Sequence, residues 1–152
     1  MKQSNHFFLM LIGSLFIGCL FTLCNVGPQP INYGSDQCSS CKMIISDSRF
    51  GAELVTHKGK IYKYDATECM VREFIKSGNE KYRFMLITHV FEPSLLKDAA
   101  NSFYLVSPDF PSPMGGNLSA YGSKSEALSA QNKFNGDIYS WEELLIEYRS
   151  NE

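Results

Sequence analysis

The sequence predicts an α+β domain of antiparallel strands in hairpins with helices, and three observations carry that expectation. Strand-forming runs come in close pairs joined by short turns. Three helix starts are marked by a capping residue with Glu three positions later. The order is hairpin strands followed by a helix, twice over, rather than the alternation that builds a parallel sheet. A chain of 152 residues is enough for one domain, and its 44% apolar and 20% charged residues exclude a disordered or collagen-like chain. With 14 Lys+Arg against 16 Asp+Glu the net charge is −2, which argues against a nucleic-acid binder tracking phosphates.

Charge is absent from one end. Residues 1–35 hold a single charged side chain, Lys2, and residues 7–23 form an uncharged, largely apolar run. A basic start before such a run reads as a secretory signal. A retained transmembrane helix at the lower limit of length is the competing reading, and a buried helix a third. Cys19 follows Phe16-Ile17-Gly18, with the small residue that bacterial lipoprotein signals show before the lipid-bearing cysteine. Cys24 lacks that residue but sits where the apolar run gives way to polar sequence. Residues 1–24 are therefore expected to be a lipoprotein signal and anchor on Cys24 or Cys19. Residues 25–35, rich in Pro, Gly and Asn, are expected to be a flexible linker, and residues 36–149 the folded domain.

Within the domain, strands are expected at 43–46, 51–55, 60–64, 84–90, 103–106 and 118–121. Asp65 with Glu68 predicts a helix to about residue 77, closed by Gly78. Ser123 with Glu126 predicts one to about 133, and Ser140 with Glu143 one to about 148. A weaker helix is expected over 95–100 after Pro93. The segment 107–117 carries three prolines and two glycines, so it is expected to be irregular, with Met114 at its tip.

The chemistry lies in sulfur. Cys38-Ser39-Ser40-Cys41-Lys42-Met43 is followed by Cys69-Met70 and later by Met114. If residues 41–43 are extended, Cys41 and Met43 share a face about 6.6 Å apart. A thiolate and a thioether together favour Cu(I), with Met114 as a third soft donor, whereas zinc prefers thiolate and imidazole. Other readings stand beside this one. Met70 and Met85 suit core packing. Cys38 and Cys41 could form a disulfide, or half of a zinc site completed by Cys69 and His57 or His89. A thioredoxin-type redox pair would need Cys-x-x-Cys to open a helix, and strand-like residues follow instead. His57 and His89 otherwise read as hairpin or core histidines. No Ser-His-Asp ordering, phosphate loop or carboxylate pair stands out, and nothing in the residues demands an enzyme.

The motif order resembles a known family. Cys38-Ser-Ser-Cys41-Lys-Met43-Ile44-Ile45, Phe50-Gly-Ala-Glu-Leu-Val55, Lys58-Gly-Lys-Ile-Tyr-Lys-Tyr-Asp65, Glu68-Cys69-Met70 and Ser112-Pro113-Met114-Gly115 look like the NosL family of nitrous-oxide-reductase accessory lipoproteins. The resemblance covers about residues 36–133. It implies an organomercurial-lyase-like α+β fold and a periplasmic, membrane-anchored copper chaperone rather than an enzyme. The implied cargo is Cu(I), and the implied partners are nitrous oxide reductase and its ABC-transporter-associated maturation complex. Position by position it implies Cys41, Met43 and Met114 as ligands, with Cys38, Cys69 and Met70 as further candidates. The alternative function is a thiol-disulfide oxidoreductase acting through Cys38 and Cys41; a structural zinc domain is a weaker third.

Overall fold

The computed structural model describes residues 27–150; the expected anchor, with Cys19 and Cys24, lies outside them. Two antiparallel sheets and three helices make up the described part. The chain runs β1 (Ala52–Thr56), β2 (Ile61–Tyr64), α1 (Thr67–Ser77), β3 (Tyr82–His89), β4 (Glu92–Asp98), β5 (Phe103–Val106), β6 (Leu118–Tyr121), α2 (Lys124–Phe134), β7 (Asp137–Tyr139) and α3 (Trp141–Ser150). The first sheet has the order β2-β1-β3-β4 and the second β6-β5-β7. The expected mixed, hairpin-based architecture is therefore what the chain adopts.

β1 is central in its sheet and buried along its whole length. Successive side chains of a strand face opposite sides. Ala52 and Leu54 join the main core with Cys69, Met70 and Phe74 of α1, while Glu53 meets the amide of Gln29 at 3.1 Å. Trp141 fastens the two halves together. Its ring centroid lies 5.5 Å from that of Phe74 in α1 and 5.9 Å from that of Tyr104 in β5. A second cluster, Leu105, Tyr121, Ala127 and Ala130, fills the space between the smaller sheet and α2.

Four expectations change. Residues 43–46 form no strand; only an isolated bridge joins Gln37 and Ile44, because Lys42 adopts φ 66° and turns the chain. Residues 95–100 form no helix, since β4 pairs with β3 there. Pro93 is compatible with that strand because β4 is an edge, where a missing N–H costs no ladder hydrogen bond. The short strand β7 was not expected. It follows Gly136, whose φ of 98° and whose approach to Val106 O, 2.2 Å from a built Cβ, leave no room for a side chain. Finally, the stretch expected as a free linker is held against the sheet from Gln29 onward. Ile31 is buried, and Lys63 Nζ donates to Pro30 O at 2.7 Å and to Asp36 Oδ2 at 2.6 Å.

The helix starts divide in an instructive way. Ser123 and Glu126 form the expected reciprocal capping box, and Ser140 and Glu143 exchange equivalent bonds. The first helix starts at Ala66 with no side-chain cap, because Asp65 and Glu68 are engaged elsewhere. Ser123→Ala should therefore cost about 1 kcal/mol of stability, read as a lower denaturant midpoint at unchanged slope. An unchanged midpoint would show that the box contributes nothing.

Candidate metal centre

The cysteine turn is shaped by backbone bonds. Cys38 N donates to Met43 O at 2.8 Å, and Lys42 N donates to Cys38 O at 3.0 Å, closing the loop around Ser39-Ser40-Cys41. Ser39 N donates to Lys63 O at 2.7 Å, which docks this turn on β2. Asp65 grips it from the other side: its Oδ1 accepts from Ser46 N at 3.2 Å, and its own amide points at the Cys38 sulfur. Asp65 lies just before α1, so the grip brings the turn to the N-terminus of the helix that carries Cys69.

The result is a cluster of three thiols. The Sγ atoms of Cys38, Cys41 and Cys69 all lie within 4.8 Å of one another, and all three cysteines are free. A metal ion bonded to three sulfurs in one plane at about 2.3 Å would need them about 4.0 Å apart, so closure asks for shifts below about an ångström. Cys38 is fully buried, Cys69 is 4% exposed and Cys41 is half-buried, so the cluster opens to solvent on the Cys41 side.

Its electrostatics are uneven. The Cys69 thiol donates to Cys38 and holds the Cys38 thiol well below its ordinary range against the opposing effect of burial. The amides of Asp65, Cys41 and Ser40 act in the same direction. Cys69 is pushed up, first by that same bond to Cys38 and then by burial. Burial likewise pushes Cys41 up. These contacts favour negative charge on Cys38 over its two neighbours, at the helix end whose dipole acts the same way.

The methionines are placed differently from one another. Met43 is 54% exposed, and the left-handed Lys42 between it and Cys41 removes the shared strand face expected from sequence. Met70 is fully buried in the main core. Met114 is not a free tip: it is half-buried and packs on the same core cluster as Cys38 and Cys69. His57 and His89 are not in the thiol group; the ring Nε2 of His89 lies 2.9 Å from Ser102 Oγ. Sequence reasoning placed Cys69 only among the secondary candidates. It missed the roles of Asp65 and Glu68, whose spacing mimics a local cap.

The sequence profile of the NosL family matches residues 30–148, most of the chain. This chain belongs to the NosL family. Among solved structures it is similar to the copper chaperone NosL from Shewanella denitrificans, with a TM-score of 0.68 over 77% of this chain and 94% of that one. Identity between the two is 17%, so the likeness shows a common fold. No curated protein matches the chain in sequence. The NosL fold here thus presents three converging thiols at the start of its first described helix.

A negative charge favoured on Cys38 should be visible as thiolate absorbance. Thiolate absorbance should persist as pH falls well below about 8.5, the ordinary thiol value, because the Cys38 pKa is lowered. Cys69→Ala removes the donor and should move that titration upward, whereas Cys41→Ala should leave most of it in place. Absorbance that titrates only near the ordinary value would show that Cys38 is not the thiolate.

Proposed function

We propose that this protein is a copper chaperone that takes up Cu(I) at the cysteine cluster and delivers it for assembly of the nitrous oxide reductase copper centre. The observation that carries the reading is the convergence of three thiols on one partly buried point in a chain of the NosL family. Soft sulfur donors without imidazole suit Cu(I), and neither histidine of the domain joins the group. A cation there also neutralises charge that the buried thiols otherwise cannot hold.

In this reading Cys41, Met43 and Met114 are ligands, with Cys38 and Cys69 completing the resting site. Exposure grades from Met43 at 54%, through half-buried Cys41, to buried Cys38 and Cys69. Such a gradient supports entry by way of the exposed thioether, transfer to Cys41 and settlement between the buried sulfurs as protons leave. Met70 serves packing. The protein is a carrier rather than an enzyme, held in the periplasm by a lipid on Cys24 or Cys19. Its partners are nitrous oxide reductase and the ABC-transporter-associated maturation complex. An oxidoreductase acting through Cys38 and Cys41 is the weaker reading. Redox thiolates are accessible, whereas Cys38 is fully buried.

The test is a Cu(I) titration under anaerobic, reducing conditions with X-ray absorption of the loaded chain. One Cu(I) per chain with sulfur neighbours is expected, and nitrogen or oxygen neighbours would sink the proposal. Cys38→Ser, Cys41→Ser and Cys69→Ser should each weaken binding at least tenfold, about 1.4 kcal/mol. Loss confined to Cys41→Ser would mean that the other two thiols are not ligands.

A further inference from the structure

One buried carboxylate has no part in the cluster yet sits beside it. Glu68 is fully buried in the first turn of α1, next to Cys69. Its Oε1 accepts from Ser112 Oγ and from Gly116 N, the latter at 3.2 Å, and its Oε2 has no hydrogen-bond partner among the described residues. Burying a carboxyl group with half its acceptors unused is costly, and an apolar side chain would fill the same space without that cost. The two residues it holds bracket Met114, each two positions away. A Cβ added at Gly116 would lie 3.0 Å from Glu68 Cγ and 3.1 Å from Cδ, so the backbone comes as close as a glycine allows. Gly115, at φ 72°, donates to Ser112 O at 3.1 Å and closes the turn around Met114. Met114 in turn packs on the buried cluster that contains Cys38 and Cys69.

We propose that Glu68 is a positioning residue for copper binding: it pins Ser112 and Gly116 to α1 and thereby holds Met114 beside the helix that carries Cys69. This inference rests on the copper reading above. Glu68 touches no metal in it and acts through Met114. The carboxyl oxygen replaces a mobile loop with a fixed one, so the thioether is presented without an ordering cost when Cu(I) arrives.

A double-substitution cycle on the full chain tests this. Cu(I) affinity is read by chelator competition in the wild type, Glu68→Leu, Met114→Leu and the pair together. Hydrogen exchange over residues 112–116 is followed in the apo chain. Glu68→Leu and Met114→Leu should each lower affinity about tenfold, near 1.4 kcal/mol, and the pair no further than either alone. Exchange over 112–116 should quicken in Glu68→Leu while β1 and β3 stay protected. Glu68→Gln keeps a carbonyl oxygen for both donors and should bind as the wild type does. Additive losses, an unchanged affinity in Glu68→Leu, or a Glu68→Gln as weak as Glu68→Leu would each overturn the proposal. Should Glu68→Leu fail to fold, Ser112→Ala takes its place, with a several-fold loss that vanishes in the Met114→Leu background. An unchanged affinity in Ser112→Ala would equally overturn it. A wild type that binds no Cu(I) overturns the copper reading itself, whereas a binding wild type with an indifferent Glu68 overturns only the positioning role.

Discussion

Three sulfur atoms within 4.8 Å of one another, largely out of water, disfavour a second negative charge, and a bound cation would relieve that repulsion. Much of the surrounding structure answers that constraint. The charge rests on Cys38, which receives the Cys69 thiol and the amides of Asp65, Cys41 and Ser40. Those amides are available because the chain turns sharply at Lys42 and because α1 begins without a side-chain cap. A conventional cap by Asp65 would have drawn its carboxylate inward to the helix amides. Instead that carboxylate accepts from Ser46 and secures the turn.

The parts of the fold that were legible in the sequence are those decided locally. The capping box at Ser123 and Glu126 satisfies its own amides, so spacing alone reveals it. The strands at β1, β2, β5 and β6 declare themselves by apolar content between turn residues. Where tertiary contacts decide, local signals mislead. Asp65 and Glu68 have cap spacing, yet each is claimed by a residue far away in sequence, Ser46 and Ser112. β4 carries a proline and reads as a helix start, but pairing with β3 overrides it. The sulfur pattern was visible as composition. Its geometry was not, because the single left-handed residue at Lys42 reverses which side chains share a face.

The same contacts relate the site to the chain's entry into the domain. Lys63 binds Asp36 and Pro30 through its side chain, while its carbonyl receives Ser39 of the cysteine turn. The segment leading in at Gln29 and the thiol cluster therefore share one strand, β2, as a common support. Gln29 is further bonded to Glu53 in the neighbouring strand, opposite Lys63 in register. A lipid on Cys24 would leave at most about 18 Å of extended chain before Gln29, and one on Cys19 about 36 Å. The shorter reach would keep the cysteine turn close to the membrane surface, and the longer would let the domain swing. Under the proposed lipid anchoring, the choice between the two cysteines would thus also set the working radius.

Binding and release place opposite demands on such a site. Burial of Cys38 and Cys69 would favour retention of an ion, since water cannot compete for it and a cation would add to the compensation that the Cys69 thiol and backbone amides give Cys38. Release by simple dissociation would leave further thiolate charge buried without a cation and would be slow. Exchange through an incoming donor avoids the step, because a new sulfur can bind before an old one leaves. The exposed side of the cluster suits that route. Cys41 is its most accessible thiol, so an incoming donor would meet it first. Met43 is more exposed still, and as a neutral thioether it would carry no desolvated charge if it bound and let go. The buried pair Cys38 and Cys69 lies on the other side, so exchange would proceed at the exposed edge of the site.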